Sequence, residues 1–125
     1  MSKTVLVVED SALFQKAYTA ALASYTGDSL EVLYASNGEE AIAQVEQRPA
    51  IDLIVLDVNM PVMDGPAFLE RLRRDYPSLD IPVMFSSTRA YAMRDKIGDT
   101  MGVVAYLQKP FAPRELHALL DKIWT

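Results

Sequence analysis

Short apolar runs alternate five times with segments of helical spacing, and this alternation leaves the chain very few folds to adopt. Val5-Leu6-Val7-Val8 is unbroken and rich in β-branched residues, the pattern of a strand buried on both faces. Runs at 30–34, 52–57, 82–86 and 103–107 read the same way, and 52–57 is the most strand-like of all. Ser11 is placed to cap a helix over 12–25. The spacing of Ser36-Asn37-Gly38-Glu39 suits a capping box that opens a helix over 38–47, with Pro49 ending it. Pro66 is tolerated in the first turn of a helix reaching Asp75. Residues 90–97 form a weaker, shorter helical segment. Pro113 opens a last helix with Leu116, Leu119, Leu120 and Ile123 on one face.

Buried strands alternating with helices imply an α/β fold, a parallel sheet covered on both faces and joined by right-handed crossovers. With 125 residues, and no internal repeat, low-complexity stretch or linker, residues 1–125 are expected to form a single domain. Seventeen acidic against 12 basic residues give a net charge of −5, which argues against direct nucleic-acid binding by phosphate neutralisation. There is no cysteine, so disulfides and thiolate metal sites are excluded. The apolar run at 51–56 is far too short to span a bilayer, and Met1-Ser2-Lys3-Thr4 shows no signal-peptide pattern. A cytoplasmic protein with no membrane association is the expectation.

In such sheets ligands bind outside the carboxyl ends of the strands. Those ends carry Glu9 and Asp10, Asp57, Ser87 and Lys109. Three carboxylates at one edge repel one another unless a cation sits among them, and all-oxygen ligation with few protein carboxylates suits Mg²⁺. The backbone carbonyl of Asn59 could add a ligand. Lys109 offers a mobile ammonium and Ser87 a hydroxyl, while an aspartate can itself take a phosphoryl group. Taken singly, Asp57 could be a solvated acid, Glu9-Asp10 a charge pair favouring a helix dipole, and Lys109 a surface lysine. Together they make a phosphoryl-transfer site.

The motifs Val-Val-Glu9-Asp10-Ser, Leu-Asp57-Val-Asn-Met-Pro-Val-Met-Asp64-Gly65, Pro82-Val-Met-Phe-Ser-Ser87 and Tyr106-Leu-Gln-Lys109-Pro110-Phe111 fall in order at successive strand ends. In these the chain resembles the response-regulator receiver domains of bacterial two-component signalling, from Lys3 to Trp124. The resemblance implies a flavodoxin-like (βα)5 sheet of strand order 2-1-3-4-5. It implies Asp57 as phosphoacceptor, Mg²⁺ held by Glu9, Asp10, Asp57 and the Asn59 carbonyl, and Lys109 on the phosphoryl group. Ser87 takes the switch hydroxyl position and Tyr106 the switch aromatic, although a static packing role suits Tyr106 equally. Pro110 would follow a cis peptide bond. A histidine kinase or phosphotransfer protein would be the donor. The surface of the fourth helix, fifth strand and fifth helix would act on a protein target or an attached output domain, and a phosphorylation-dependent homodimer is compatible with this. No enzyme activity beyond self-directed phosphoryl transfer and slow autodephosphorylation is implied.

Some positions depart from the pattern or stand apart from it. Thr88 occupies a place where the family has a smaller residue, and Arg89 reads as solvated. His117, the one histidine, is placed opposite the leucine stripe and read as solvated too. A phosphatase of the haloacid-dehalogenase type would need a second acid where Asn59 stands. A flavin module would need a glycine-rich phosphate loop where Glu9-Asp10 would repel the phosphate. The nearer alternative is a pseudo-receiver, an interaction module of this fold not controlled by phosphorylation.

Overall fold

The computed structural model describes residues 2–48, 50–58, 60, 63–97 and 100–125. Among these, strands β1 (Ser2–Val8), β2 (Ser29–Ala35), β3 (Leu53–Asp57), β4 (Val83–Ser87) and β5 (Val103–Gln108) alternate with helices α1 (Ala12–Ala23), α2 (Gly38–Gln47), α3 (Gly65–Asp75), α4 (Ala90–Ile97) and α5 (Pro113–Ile123). A 3₁₀ turn, Thr100–Gly102, leads into β5. The sheet is parallel throughout, in the order β2-β1-β3-β4-β5, which is the flavodoxin-like doubly wound arrangement.

The central strands are buried along their whole length because helices cover both faces. On one face Tyr18, Ala21 and Leu22 of α1 meet Leu116 and Leu120 of α5 above Val5, Val7, Val55 and Met84. On the other, Ala41, Ile42 and Val45 of α2 join Phe68, Leu69 and Leu72 of α3 above Leu6, Ile54, Leu56 and Phe85, with Met93 and Ile97 of α4 packed alongside. None of the helices among the described residues is long and apolar enough to cross a membrane.

Several boundaries differ from the sequence expectation for identifiable reasons. β1 begins at Ser2, not Val5, because its first residues pair with the edge strand in register from Ser2↔Ser29. α1 stops at Ala23, since Ser24 takes the C-cap with its N–H on the Ala20 carbonyl. The α2 cap is Asn37, not Ser36: the Asn37 side chain accepts the Glu40 N–H at 2.9 Å, and the Glu40 carboxylate accepts the Ser36 N–H at 2.8 Å. Asn37 thus caps the helix, while Glu40 holds the N–H of the residue before the cap and not that of the cap itself. β4 starts at Val83 because Pro82 has no N–H to pair; its carbonyl accepts from Ile54 at 3.0 Å. Pro49 lies outside the described residues.

His117 is the clearest correction. It is not a solvated side chain: Nε2–H donates to the Ala21 carbonyl at 2.6 Å, and the ring lies 5.4 Å from that of Tyr25. The Ala21 carbonyl belongs to the last turn of α1, where carbonyls lack intrahelical partners. His117 satisfies one of them and fastens α5 to α1.

Candidate functional site

Backbone pairing delivers the acids to one place. β1 ends at Val8, and Glu9 extends the ladder by donating its N–H to Ala35 O at 2.9 Å. Asp57 closes β3, opposite Ser86. Just beyond, Val58 N–H donates to Ser86 O at 3.2 Å and Gly65 N–H to Val58 O at 2.9 Å. A Cβ at Gly65 would lie 2.7 Å from the Asp57 carbonyl and 3.0 Å from the Phe85 ring, so only glycine lets α3 start this close to the end of β3. Lys109 follows β5, with its N–H on Ser87 O at 2.9 Å and a cis bond to Pro110. Carboxylate oxygens of Glu9, Asp10 and Asp57 come within 4.8 Å of one another.

The cluster is mostly dry. Glu9 is 1% exposed, Lys109 5% and Asp57 6%, while Asp10 faces solvent. Lys109 Nζ hydrogen-bonds Glu9 Oε1 and lies 3.2 Å from Asp57 Oδ1. The same ammonium sits 4.3 Å from the centroid of the Phe14 ring, whose face carries negative potential. Phe14 was not picked out by the sequence; its place three residues after the Ser11 cap, in the first turn of α1, is what brings it over the acids. A cleft of about 190 Å³ opens here between Asp10, Phe14, Asp57 and Thr88.

One ammonium against three carboxylates leaves the site anionic. Burial pushes the Glu9 carboxyl above its ordinary 4.5; the Lys109 and Ser11 hydrogen bonds pull it back, and Asp57 adds to the rise. Because the folded-state value lies above the unfolded one, protonated Glu9 favours folding. That contribution is present at low pH and fades as pH rises from 4.5 through the raised value. Without divalent cation, the urea midpoint of the wild type should therefore fall across this window relative to that of Glu9→Gln. Parallel midpoint curves for the two proteins would remove Glu9 as the cause.

The donor set fits a hard divalent cation. Three carboxylates on one edge, short of positive charge, supply the oxygen ligands that Mg²⁺ takes while keeping several waters. Asn59, expected to add its carbonyl, lies outside the described residues.

Ser87 is buried, and its hydroxyl accepts the Arg89 N–H at 3.0 Å. Its neighbour Ser86 is engaged elsewhere, accepting a hydrogen bond from the buried Tyr18 hydroxyl. Burial holds Tyr18 in its neutral form, and the charges of Glu9 and Asp57 add to that. Tyr106 stacks on Phe85 with centroids 6.1 Å apart, and the Arg94 guanidinium lies 5.9 Å above its ring. Thr88 and Arg89 are exposed, as the sequence suggests for Arg89.

A flavodoxin-like sheet whose carboxyl edge carries an acid cluster and a lysine, where a nucleotide-binding relative would carry a phosphate loop, defines a receiver-type signalling domain. The profile of the response regulator receiver domain matches residues 5–121, and the chain belongs to that family. It is 34% identical over 125 residues to the phosphate regulon transcriptional regulatory protein PhoB of Pseudomonas aeruginosa, covering 98% of this chain and 52% of that protein. It is 33% identical over 124 residues to the alkaline phosphatase synthesis transcriptional regulatory protein PhoP of Bacillus subtilis, covering 98% and 49%. The chain thus spans about half the length of these curated relatives. Among solved structures, chemotaxis protein CheY4 of Vibrio cholerae superposes with a TM-score of 0.82 at 29% identity, covering 98% of this chain and 99% of that one. The receiver domain of a sensor histidine kinase from Pseudomonas aeruginosa PAO1, solved with magnesium in its active-site cleft, gives 0.83 at 25% identity and full coverage of both chains.

Proposed function

We propose that residues 1–125 act as one phosphoacceptor unit, with Asp57 taking a phosphoryl group from a phosphohistidine of a histidine kinase or phosphotransfer protein. The observation that carries this reading is the Lys109 ammonium 3.2 Å from Asp57 Oδ1, inside a cluster of three convergent carboxylates. An Asp57 oxygen attacks phosphorus, a P–O bond forms, and the P–N bond breaks. The imidazole nitrogen leaves with the electron pair and takes a proton. Positioning and charge neutralisation suffice for such a transfer.

Glu9, Asp10 and Asp57 would hold Mg²⁺, with the Asn59 carbonyl as the family resemblance implies; the ion supplies charge neutralisation of the phosphoryl oxygens when bound. Lys109 donates to a phosphoryl oxygen. Ser87 turns from the Arg89 N–H toward the same group, and Tyr106 follows the loop. The readout is a change in the α4-β5-α5 surface, presented to a protein target, an attached output domain or a second copy. The domain performs no turnover on an external substrate beyond taking and slowly losing this group, and it works in the cytoplasm.

Incubation with a small phosphodonor and Mg²⁺ should add one phosphoryl mass to the wild type and none to Asp57→Asn. A wild type that gains no mass under these conditions favours the pseudo-receiver instead, and equal gain by Asp57→Asn moves the acceptor elsewhere.

A further inference from the structure

The Gln108 side chain spans the gap between β5 and the loop that carries Ser87. Its Oε1 accepts the N–H of Ala90, the first residue of α4, at 3.0 Å. Its Nε2 donates to Thr88 O at 2.7 Å and to Lys109 O at 3.1 Å. One amide thus caps α4 from a neighbouring strand, holds the backbone of residue 88, and braces the carbonyl of the lysine that lies beside Asp57. Gln108 is also the register partner of Ser87. Within that loop the Ser87 hydroxyl is held by the Arg89 N–H at 3.0 Å.

We propose that Gln108 is a positioning residue that latches the β4–α4 loop in its resting arrangement and so sets how strongly the domain resists activation. This deepens, and rests on, the reading of Asp57 as a phosphoacceptor. A shift of Ser87 toward a group on Asp57 would carry the loop at 88–90 with it, because the Ser87 hydroxyl is tied to the Arg89 N–H. Every such movement strains the two hydrogen bonds that this side chain makes to the loop, at Ala90 and Thr88. An amide satisfies both polarities at once: the loop presents an N–H and a carbonyl together, and Gln offers an acceptor and a donor on separate atoms at the end of a long side chain. Asn is one methylene short of the span.

A latch of this kind lowers the population of the competent arrangement and weakens apparent affinity for anything that needs it. Gln108→Met keeps length and flexibility but loses all three bonds, and Gln108→Asn keeps the amide but loses the reach. Both are expected to bind beryllofluoride with Mg²⁺ about tenfold more tightly than the wild type in an NMR titration. Both are also expected to exchange the Ala90 amide proton about tenfold faster without any phosphoryl analogue. A fastener serving only the fold would weaken the site when cut, so tighter binding by a less protected protein is the distinguishing outcome. Unchanged or weaker beryllofluoride binding in both variants overturns the proposal, as does unchanged Ala90 exchange. If the wild type itself binds no beryllofluoride, or Asp57→Asn binds it equally, the phosphoacceptor reading fails instead, and Ala90 exchange still decides whether the latch exists.

Discussion

Lys109→Met is expected to slow phosphoryl transfer from a small donor by about 10²- to 10³-fold, the loss that follows removal of one preorganised donor at a developing charge. It should also cost about 3 kcal/mol of stability without Mg²⁺, because cutting one partner from a buried ion pair leaves charge behind in a dry place. Glu9 and Asp57 are the groups that lose the ammonium, at 1% and 6% exposure. The raised Glu9 carboxyl limits the cost, since it can take up a proton once its ammonium is gone. The same substitution removes the ammonium that competes with a cation for these carboxylates, so Mg²⁺ should bind more tightly and recover part of the stability by mass action. Transfer should nevertheless stay slow, because the cation occupies the carboxylates and does not reproduce the position of Nζ. Urea denaturation with and without Mg²⁺, beside the rate of mass gain, separates these effects. A near-wild-type rate would remove Lys109 from the chemistry, and unchanged stability would mean that the buried pair had been replaced by solvent.

Arg73→Met should destabilise the domain by about 2 kcal/mol with little effect on phosphoryl transfer. Arg73 lies near the end of α3, yet its guanidinium joins three segments. Nε donates to Met101 O at 2.8 Å, one terminal nitrogen to Leu79 O at 3.3 Å and the other to Ile81 O at 2.7 Å. It thereby holds the approach to β4 and the turn before β5. Burial lowers the Arg73 pKa from its ordinary value, which marks how far the side chain has left water, and Asp80 partly offsets this. The turn it holds is an unusual one, with Met101 at φ 55° and Gly102 at φ 76°, conformations that side chains avoid. Methionine keeps the apolar stem and strands the carbonyls. Lysine can place a point charge near one carbonyl but cannot reproduce the fork, so Arg73→Lys should fall between. A loss within about 0.5 kcal/mol for Arg73→Met, the range of ordinary surface changes, would reduce the fork to a surface contact.

Arg73 shows what a sequence hides. On a helix with charges at 70, 71, 73, 74 and 75 it looks like one more solvated residue, and nothing in the spacing reveals carbonyls arriving from elsewhere in the chain. The same holds for His117 of α5, which reaches a carbonyl of α1, and for Gln108 of β5, which reaches the β4–α4 loop: these hydrogen bonds go to backbone groups, which carry no signature of residue type. The sheet was legible because burial on both faces forces unbroken apolar runs, and because parallel strands with helical returns share one carboxyl edge. That geometry also made Glu9, Asp10, Asp57 and Lys109 legible, since each closes a run or lies within two residues of its end. Ser87 could be separated from Ser86 and Thr88 only by counting, and the structure gives the physical difference: Ser86 turns into the core toward Tyr18. The α2 cap slipped by one because Asn and Ser cap about equally well, and Ser36 and Asn37 each have a glutamate three residues on.

Placing α1 and α5 together has a consequence for the nascent chain. Synthesis delivers α2 and α3 early, so one side of the growing sheet can be roofed while β4 and β5 are still being made. The other side cannot. Tyr18, Ala21 and Leu22 wait beneath an empty berth until Leu116 and Leu120 clear the ribosomal exit tunnel. A chain stalled before α5 would present that uncovered strip to chaperones and to other nascent chains. α5 is therefore the piece that closes this face, and a truncation that removes it should leave the strip uncovered.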